Sequence, residues 1–302
     1  MQVSIIIVNY NTKQLLCNCL NSIYSHTKDI SFEVIVSDNG STDGSINLIK
    51  SQFPQVILIE NNANLGFGAA NNRALDIAKG KYIFYLNSDT VLLNNACKIF
   101  YNYFEQYQNE NIGAIGANLL DEENNVIHSY GSFGGYKKNL FQLYKQFFTN
   151  LGLTLFYIFH IPTSKFVKSP KSQFFTGEVD YITGADLFMP NNNDARFDES
   201  FFLYFEETDL QKRLANKNKK RIIIEGPQIQ HLCGGSVGSN FTIKRKASLS
   251  RMHFELSRVY YLKKHFYNPI LSFLIKLQIT INWINPFLIK NTSKFLSKLW
   301  KI

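Results

Sequence analysis

Residues 3–8 run Val-Ser-Ile-Ile-Ile-Val, a β-branched stretch with almost no polar alternation. A strand with one wet face alternates, whereas a strand covered on both faces does not, so this run predicts a strand inside a parallel sheet. Similar runs return at 33–36, 56–59 and 82–86, separated by segments that read as helices at 13–24, at 45–52 and in a stretch ending near Lys79-Gly80. This β–loop–α alternation over about 110 residues predicts an open parallel sheet with helices on both faces. After Asn111 the pattern loosens. Residues 112–119 and 222–224 read as strands, 179–189 as strand and turn, and 247–266 as an amphipathic helix. Residues 136–175 are rich in Phe, Tyr and Lys with breakers at Pro162 and Pro170, and beyond Pro269 comes an apolar, lysine-dotted tail.

Polar residues gather where the predicted strands end: Asn9, Asp38, Asn61, Asn64 and Asp89. In open α/β sheets that edge binds ligands. Turn chemistry alone accounts for Gly40, Gly44 and Gly66, but less well for acids at two separate strand ends. A second cluster, Glu206-Glu207-Thr208-Asp209, follows the aromatic run Phe201-Phe202-Leu203-Tyr204-Phe205. Crowded carboxylates lose hydration and repel one another, a cost tolerated where one acts as a base or faces a cation. Acids in the first turn of a helix are the alternative, favoured by the helix dipole.

The formal charge is +9 with a pI near 9.2, which points to an anionic partner. The excess is regional, in 137–171 (Lys137, Lys138, Lys145, Lys165, Lys168, Lys171) and from Lys212 onward. Cys17, Cys19, Cys97 and Cys233 have no framework spacing, which fits a reducing compartment. The N-terminus lacks a basic region and a cleavage site and reads as a strand, not a signal peptide.

Taken in order, Ser4 to Asn11, Ser37-Asp38-Asn39-Gly40-Ser41-Thr42-Asp43-Gly44, Asn61 to Asn72, Leu86-Asn87-Ser88-Asp89, Thr183-Gly184-Ala185, Phe197 to Arg213, and His231 with the glycines after it resemble the inverting, nucleotide-sugar-dependent glycosyltransferases of family 2. The resemblance covers residues 3–265 and implies the GT-A fold: an α/β, Rossmann-like, mostly parallel sheet flanked by helices. It implies a domain over 1–240, divided into a nucleotide-binding half (1–110) and an acceptor half (111–240), with a helical extension over 241–302. The form Asn64-Leu65-Gly66-Phe67-Gly68-Ala69-Ala70-Asn71 is similar to the rhamnosyltransferase-like branch.

The resemblance assigns Asn9, Asp38, Asp43, Asn64, Gly66 and Asp89 to the nucleotide, with Asp38 at the base or ribose. Asp89 ends a strand where a divalent cation, Mg²⁺ or Mn²⁺, could bridge a carboxylate and phosphates. Asn87-Ser88-Asp89 keeps only the last acid of the family's metal motif, and His231 is similar to a histidine that completes that site. Inversion needs a base for the acceptor hydroxyl. The family's base corresponds to Glu207, one methylene longer than the usual Asp, with Glu206 able to share the role. Asp209 and Arg213, four apart, form a predicted helical ion pair.

In the tail, Lys290, Lys294, Lys298 and Lys301 recur at helical spacing with Phe295, Leu296, Leu299 and Trp300 on other faces. Such a helix can lie in an anionic membrane interface, or else pack on its own domain with a solvated lysine face. Residues 269–289 carry Lys276, Gln278, Asn282 and Asn285 and fall short of a membrane span. The expected enzyme moves a sugar, rhamnose by the branch, to a glycan or lipid-linked glycan of a surface polysaccharide. It is expected in the cytoplasm, peripheral at the inner face of the cell membrane, with no nucleic-acid partner. A sugar-nucleotide pyrophosphorylase would need a glycine-rich basic loop after the first strand, and Asn9-Tyr10-Asn11-Thr12 is not one. A basic module binding nucleotide or anionic lipid would explain the charge but not the acids at the strand ends.

Overall fold

The computed structural model of the protein describes residues 1–158, 172–232, 249–283 and 292–302. The chain divides into two compact units, Met1–Phe133 with Lys171–Phe202 and Glu206–Val237, and Gly134–Pro170 with Leu203–Phe205 and Gly238–Ile302.

In the first unit the chain runs β1 (Val3–Asn9), α1 (Lys13–His26), β2 (Phe32–Asp38), α2 (Ser45–Gln52), β3 (Ile57–Glu60), α3 (Phe67–Leu75) and β4 (Tyr82–Leu86). These four strands pair in parallel in the order β3-β2-β1-β4. There follow β5 (Thr90–Leu92), α4 (Ala96–Gln106), β6 (Ile112–Gly116), β7 (Leu119–Leu120) and β8 (Tyr130–Gly131). The chain re-enters the unit with β9 (Gly177–Glu178), β10 (Tyr181–Ile182) and β11 (Asp186–Pro190). It continues through α6 (Glu206–Asn216), β12 (Lys220–Ile223) and β13 (Ile229–His231), and α5 is the intervening helix Tyr136–Ile158. The main sheet has eight strands, extended beyond β4 by β11-β6-β12-β9, with β11 antiparallel to both neighbours.

The first strand shows why its pattern does not alternate. Ile5 and Ile7 enter one core cluster with Leu16, Phe84 and Phe188, while Ile6 enters the other with Ile35, Ile83 and Tyr85. Both faces are covered, as the run of apolar residues predicts. Phe188 stands at the centre of an aromatic group, its ring 5.5 Å from Tyr82, 5.8 Å from Phe84, 5.4 Å from Phe100 and 5.8 Å from Phe104. The strand at 112–119 stops earlier, at Gly116, and resumes as β7.

The second unit contains α5, α7 (Leu249–Phe266), α8 (Pro269–Trp283) and α9 (Thr292–Lys301). The sequence pattern assigns no element to α5. Its apolar residues do not mark one face: Leu143 is buried, while Phe141, Tyr144 and Phe148 are exposed. Tyr204 and Phe205 belong to this unit and pack on Phe254, with Phe205 also on Tyr261. The lysine-rich helix α9 buries Phe295 and Leu299, the former with its ring 4.2 Å from that of Trp283 and tilted to it. Those two apolar residues are therefore covered by protein, as in the packed alternative. Among the described residues no helix is long and apolar enough to cross a membrane. Lys165, Lys168, Lys171, Cys233, the glycines Gly234, Gly235 and Gly238, Asn285 and Lys290 lie outside the described residues.

Phe188→Ala removes the ring on which four others pack. It is expected to cost about 3–5 kcal/mol, read as a lower urea midpoint at unchanged slope. An unmoved midpoint would show that the aromatic group does not hold the sheet.

Candidate functional site

The ends of β1 and β2 are joined by side chains. Asn9 is fully buried and donates from Nδ2 to Asp38 Oδ2 at 2.6 Å and to Ser41 Oγ at 3.0 Å. Asp38, also fully buried, accepts at Oδ1 from the backbone amides of Gly40 (3.0 Å) and Ser41 (2.8 Å). Buried carboxylates persist only when so satisfied. Thr12 Oγ1 donates to Asn9 Oδ1 at 2.6 Å and lies 2.9 Å from Ser88 Oγ, tying this edge to the loop after β4. Asp43 receives the Lys13 amide (2.8 Å) and both the amide (3.0 Å) and hydroxyl (2.5 Å) of Ser45, so it caps the starts of α1 and α2. Partial burial would raise its carboxyl pKa, but those hydrogen bonds prevail and hold it below the ordinary value.

Asn64 is exposed and accepts at Oδ1 from the Gly66 amide (3.0 Å) and from Asn39 Nδ2 (3.3 Å). Gly66 opens α3 with φ +89°, and a Cβ there would lie 2.3 Å from the carbonyl oxygen of Phe202. That carbonyl accepts the Phe67 amide at 2.9 Å. The glycine is thus required twice, by its left-handed backbone and by the close approach.

Beyond Phe202, Tyr204 and Phe205 both have φ +68°, a region that bulky residues rarely adopt and that concentrates at functional turns. Glu206 and Glu207 then begin α6, with Glu206 buried and Glu207 half-buried. Burial pushes the Glu207 carboxyl up to about 6, against smaller opposing pulls from its own amide and that of Thr208. A Cβ on Gly184 would meet Glu207 Cβ and the Phe67 ring each at 3.6 Å, so the Gly66 loop and the acid helix converge on this glycine. Gln211, one turn on, donates to Ile182 O (2.7 Å) and Glu207 O (3.1 Å) and accepts the Ile182 amide (2.8 Å), fixing α6 to β10. Asp209 is fully buried and pairs with Arg213 Nε at 3.0 Å, the helical ion pair expected from the spacing.

β13 pairs antiparallel with β5, setting His231 opposite Thr90. His231 Nε2 consequently lies 3.1 Å from Asp89 Oδ1, with both side chains about one-fifth exposed. Among the described residues no group of three His, Cys, Asp or Glu surrounds a metal position. One carboxylate and one imidazole are nevertheless donors of a kind that a divalent cation accepts.

The structure thus links Asn9, Asp38 and the loop of Asp43, joins Asn64 to Gly66, pairs Asp89 with His231, and sets Glu207 beside the Gly66 loop. Three positioning residues lie inside the motif segments without having been singled out there. Asn39 donates to Gly66 O at 3.1 Å and accepts from Asn61 at 3.1 Å. Buried Asn72 holds both the amide and carbonyl of Phe197 at 2.9 Å, and Gln211 holds Ile182. Asp186 was read only as part of a turn. It is fully buried, accepts the Ala117 amide at 2.6 Å, and burial raises its carboxyl well above the ordinary value.

Comparison with known proteins adds to this geometry. The family model for glycosyl transferase family 2 matches residues 4–162, just over half the chain. An uncharacterized glycosyltransferase of Methanocaldococcus jannaschii is 26% identical over 280 residues, 91% of this chain and 89% of its own. The poly(ribitol-phosphate) beta-glucosyltransferase of Bacillus spizizenii is 35% identical over 115 residues, covering 36% of this chain and 18% of the relative. A UDP-Glc:alpha-D-GlcNAc-diphosphoundecaprenol beta-1,3-glucosyltransferase of Escherichia coli is 38% identical over 117 residues, covering 35% and 46% respectively. Among solved structures, GalNAc-T7 with UDP, GalNAc and Mn²⁺ superposes over 100% of this chain and 54% of its own at TM-score 0.60 and 12% identity. The mannosyltransferase PcManGT of Pyrobaculum calidifontis with GDP-Man and Mn²⁺ covers 99% and 73% at TM-score 0.53 and 14% identity. At such identities the likeness is one of fold, the GT-A α/β sheet expected from the sequence.

A carboxyl raised to about 6 in the fold and near 4.5 when unfolded favours folding while it is protonated. Its contribution is complete below the unfolded value and is lost as pH rises toward 6. Glu207→Gln removes this titration, so wild-type stability should fall relative to the variant across that window. Parallel unfolding curves at pH 4.5 and 6.5 check this. A constant difference would mean that Glu207 titrates normally.

Proposed function

Because the chain belongs to glycosyl transferase family 2, we propose that it transfers a sugar, with inversion, from a nucleotide-diphospho-sugar to a hydroxyl of a glycan or lipid-linked glycan. The observation that carries this reading is a half-buried carboxyl raised toward neutrality, Glu207, beside the same loop that forms the polar edge of the parallel strands. A general base works best with its pKa close to the working pH.

In the reaction the acceptor oxygen attacks the anomeric carbon as its proton passes to Glu207, and the bond from that carbon to the diphosphate oxygen breaks on the opposite side. Asn9, Asp38, Asn64 and Gly66 shape the wall that receives the nucleoside, and Asp43 fixes the helix starts beneath it. Asp89 and His231 are the residues that would hold Mg²⁺ or Mn²⁺, which when bound supplies positive charge to the leaving diphosphate. The segment Asn64 to Asn71 supports rhamnose as the donor sugar, whereas two relatives are named glucosyltransferases. A panel that includes dTDP-rhamnose and UDP-glucose separates the two. The relative named for a diphosphoundecaprenol substrate supports a lipid-linked acceptor, and hence a peripheral enzyme at the cytoplasmic face of a membrane.

Asp89→Asn is nearly isosteric and should lower Mn²⁺-dependent nucleotide affinity by at least about 10-fold, measured by titration calorimetry with UDP or dTDP. Equal affinity and equal metal dependence would remove Asp89 from the cation site. Glu207→Gln keeps shape but cannot take a proton, so turnover should drop about 10²–10⁴-fold while the donor dissociation constant stays near wild type. Glu206→Gln, assayed in parallel, locates the base within the pair. A fully active Glu207→Gln alongside a dead Glu206→Gln would move the role one residue back.

A further inference from the structure

The second unit has an unusual surface. Its 17 lysines and arginines meet one acidic side chain, Glu255, giving a formal charge of +16 against −7 for the first unit. Glu255 is itself buried, 3.3 Å from Arg258. The exterior of this unit therefore carries no acidic side chain at all.

On that exterior, α8 shows two opposite apolar faces. Ile275, Ile279 and Trp283 are buried within the unit. Ile270, Phe273, Leu277 and Ile281, spaced three or four apart, form a second stripe and are 72, 52, 38 and 43% exposed. Trp300 of α9 is held over this stripe, its ring 5.7 Å from Phe273, its Nε1 donating to Thr280 Oγ1 at 3.2 Å, and Lys276 Nζ 5.9 Å from its centre. Lys263, Tyr267, Phe273, Lys276 and Trp300 line a concave site of about 220 Å³ beside the stripe. Lys263 Nζ there donates to Ile302 O at 2.6 Å. Burial, and then the neighbouring Lys263, hold the Lys276 ammonium below its ordinary value, a strain that an anion in the hollow would relieve.

We propose that the outer stripe of α8, with Trp300, inserts into the surface of an anionic lipid bilayer while the Lys263–Lys276 hollow receives a lipid phosphate. Contiguous exposed apolar residues need a covering partner. A second copy of the chain would bring two such cationic surfaces together and be repelled. Nucleic acid would satisfy the charge but offers nothing to cover Ile270, Phe273, Leu277 and Ile281. A bilayer satisfies both, with its phosphates at the lysines, its acyl boundary at the stripe, and an indole at the interface between them. The inference deepens the reading of a membrane-presented acceptor, yet it is tested without donor or acceptor, so either can fail alone.

The chain has two tryptophans, of which Trp283 is buried. In a Trp283→Phe background, Trp300 emission should shift to the blue on adding phosphatidylglycerol vesicles and be quenched by brominated acyl chains, with no change on phosphatidylcholine vesicles. Phe273→Ser/Leu277→Ser should abolish the shift, and Lys263→Gln/Lys276→Gln should weaken vesicle binding about 30-fold, at roughly a fivefold loss per surface lysine. Thermal unfolding and sedimentation of each variant accompany the binding curves. Because Phe273, Leu277 and both lysines line the solvent side, the unfolding midpoints should stay near wild type. If a midpoint collapses, the single Ile270→Ser variant replaces that test. Unaltered vesicle binding by both stable double variants would overturn the proposal. So would a wild-type dimer that Phe273→Ser/Leu277→Ser dissociates, which would assign the stripe to a second copy.

Discussion

One backbone contact governs the polar edge of the first unit: Gly66 lies against the carbonyl of Phe202 with no space for a side chain. Residues 136 apart in sequence are thereby brought to van der Waals distance, and the Phe67 amide closes the contact with a hydrogen bond. From there the geometry follows. Phe67 and Glu207 both come up against Gly184, and Gln211 holds the helix that carries Glu207. Asn39 secures the loop from behind by bonding the Gly66 carbonyl. Any Cβ at position 66 would press on the Phe202 carbonyl and separate the polar edge from the acid helix.

The two kinds of carboxylate at this edge differ by what surrounds them. Asp38 is wholly buried but accepts from Asn9, Gly40 and Ser41, so its oxygens are taken up in shaping the loop. Glu207 is less buried, yet burial dominates its environment and raises its carboxyl. Environments that differ in this way assign different work to chemically similar groups. The first organises the loop, and the second is the group proposed as the base. Asp89 stands apart from both, its partner being an imidazole delivered by a strand from the far end of the unit.

Much of this was legible in the sequence because it is local. The run at 3–8 demanded a strand covered on both sides, and Ile5, Ile6 and Ile7 divide between two cores as that requires. The helix at 45–52 and the strand at 82–86 have the bounds their flanking polar residues imply. The motif residues fall where the strands end. The side-chain clamps were not legible, since Asn39, Asn72 and Gln211 act on backbone groups far away in sequence, and a side-chain amide gives no sign of its partner. Helix α5 escaped because its apolar residues face both inward and outward, which erases the helical period. The tail was legible in part. The lysine spacing of α9 marks a helix that buries Phe295 and Leu299 but leaves Trp300 exposed, while the longer exposed stripe lies on α8, where the high apolar content hides two faces.

The central claim is that the edge formed by Asn9, Asp38, Asn64 and Asp89 receives a nucleotide-diphospho-sugar. Its most direct test is hydrolysis of a panel of UDP-, dTDP- and GDP-sugars by the intact chain, with and without Mn²⁺. The account predicts that at least one donor releases its nucleoside diphosphate, that release depends on the cation, and that the matching free nucleoside diphosphate competes. An enzyme that neither binds nor cleaves any donor in the panel, with Mn²⁺ present and the fold intact, would contradict it.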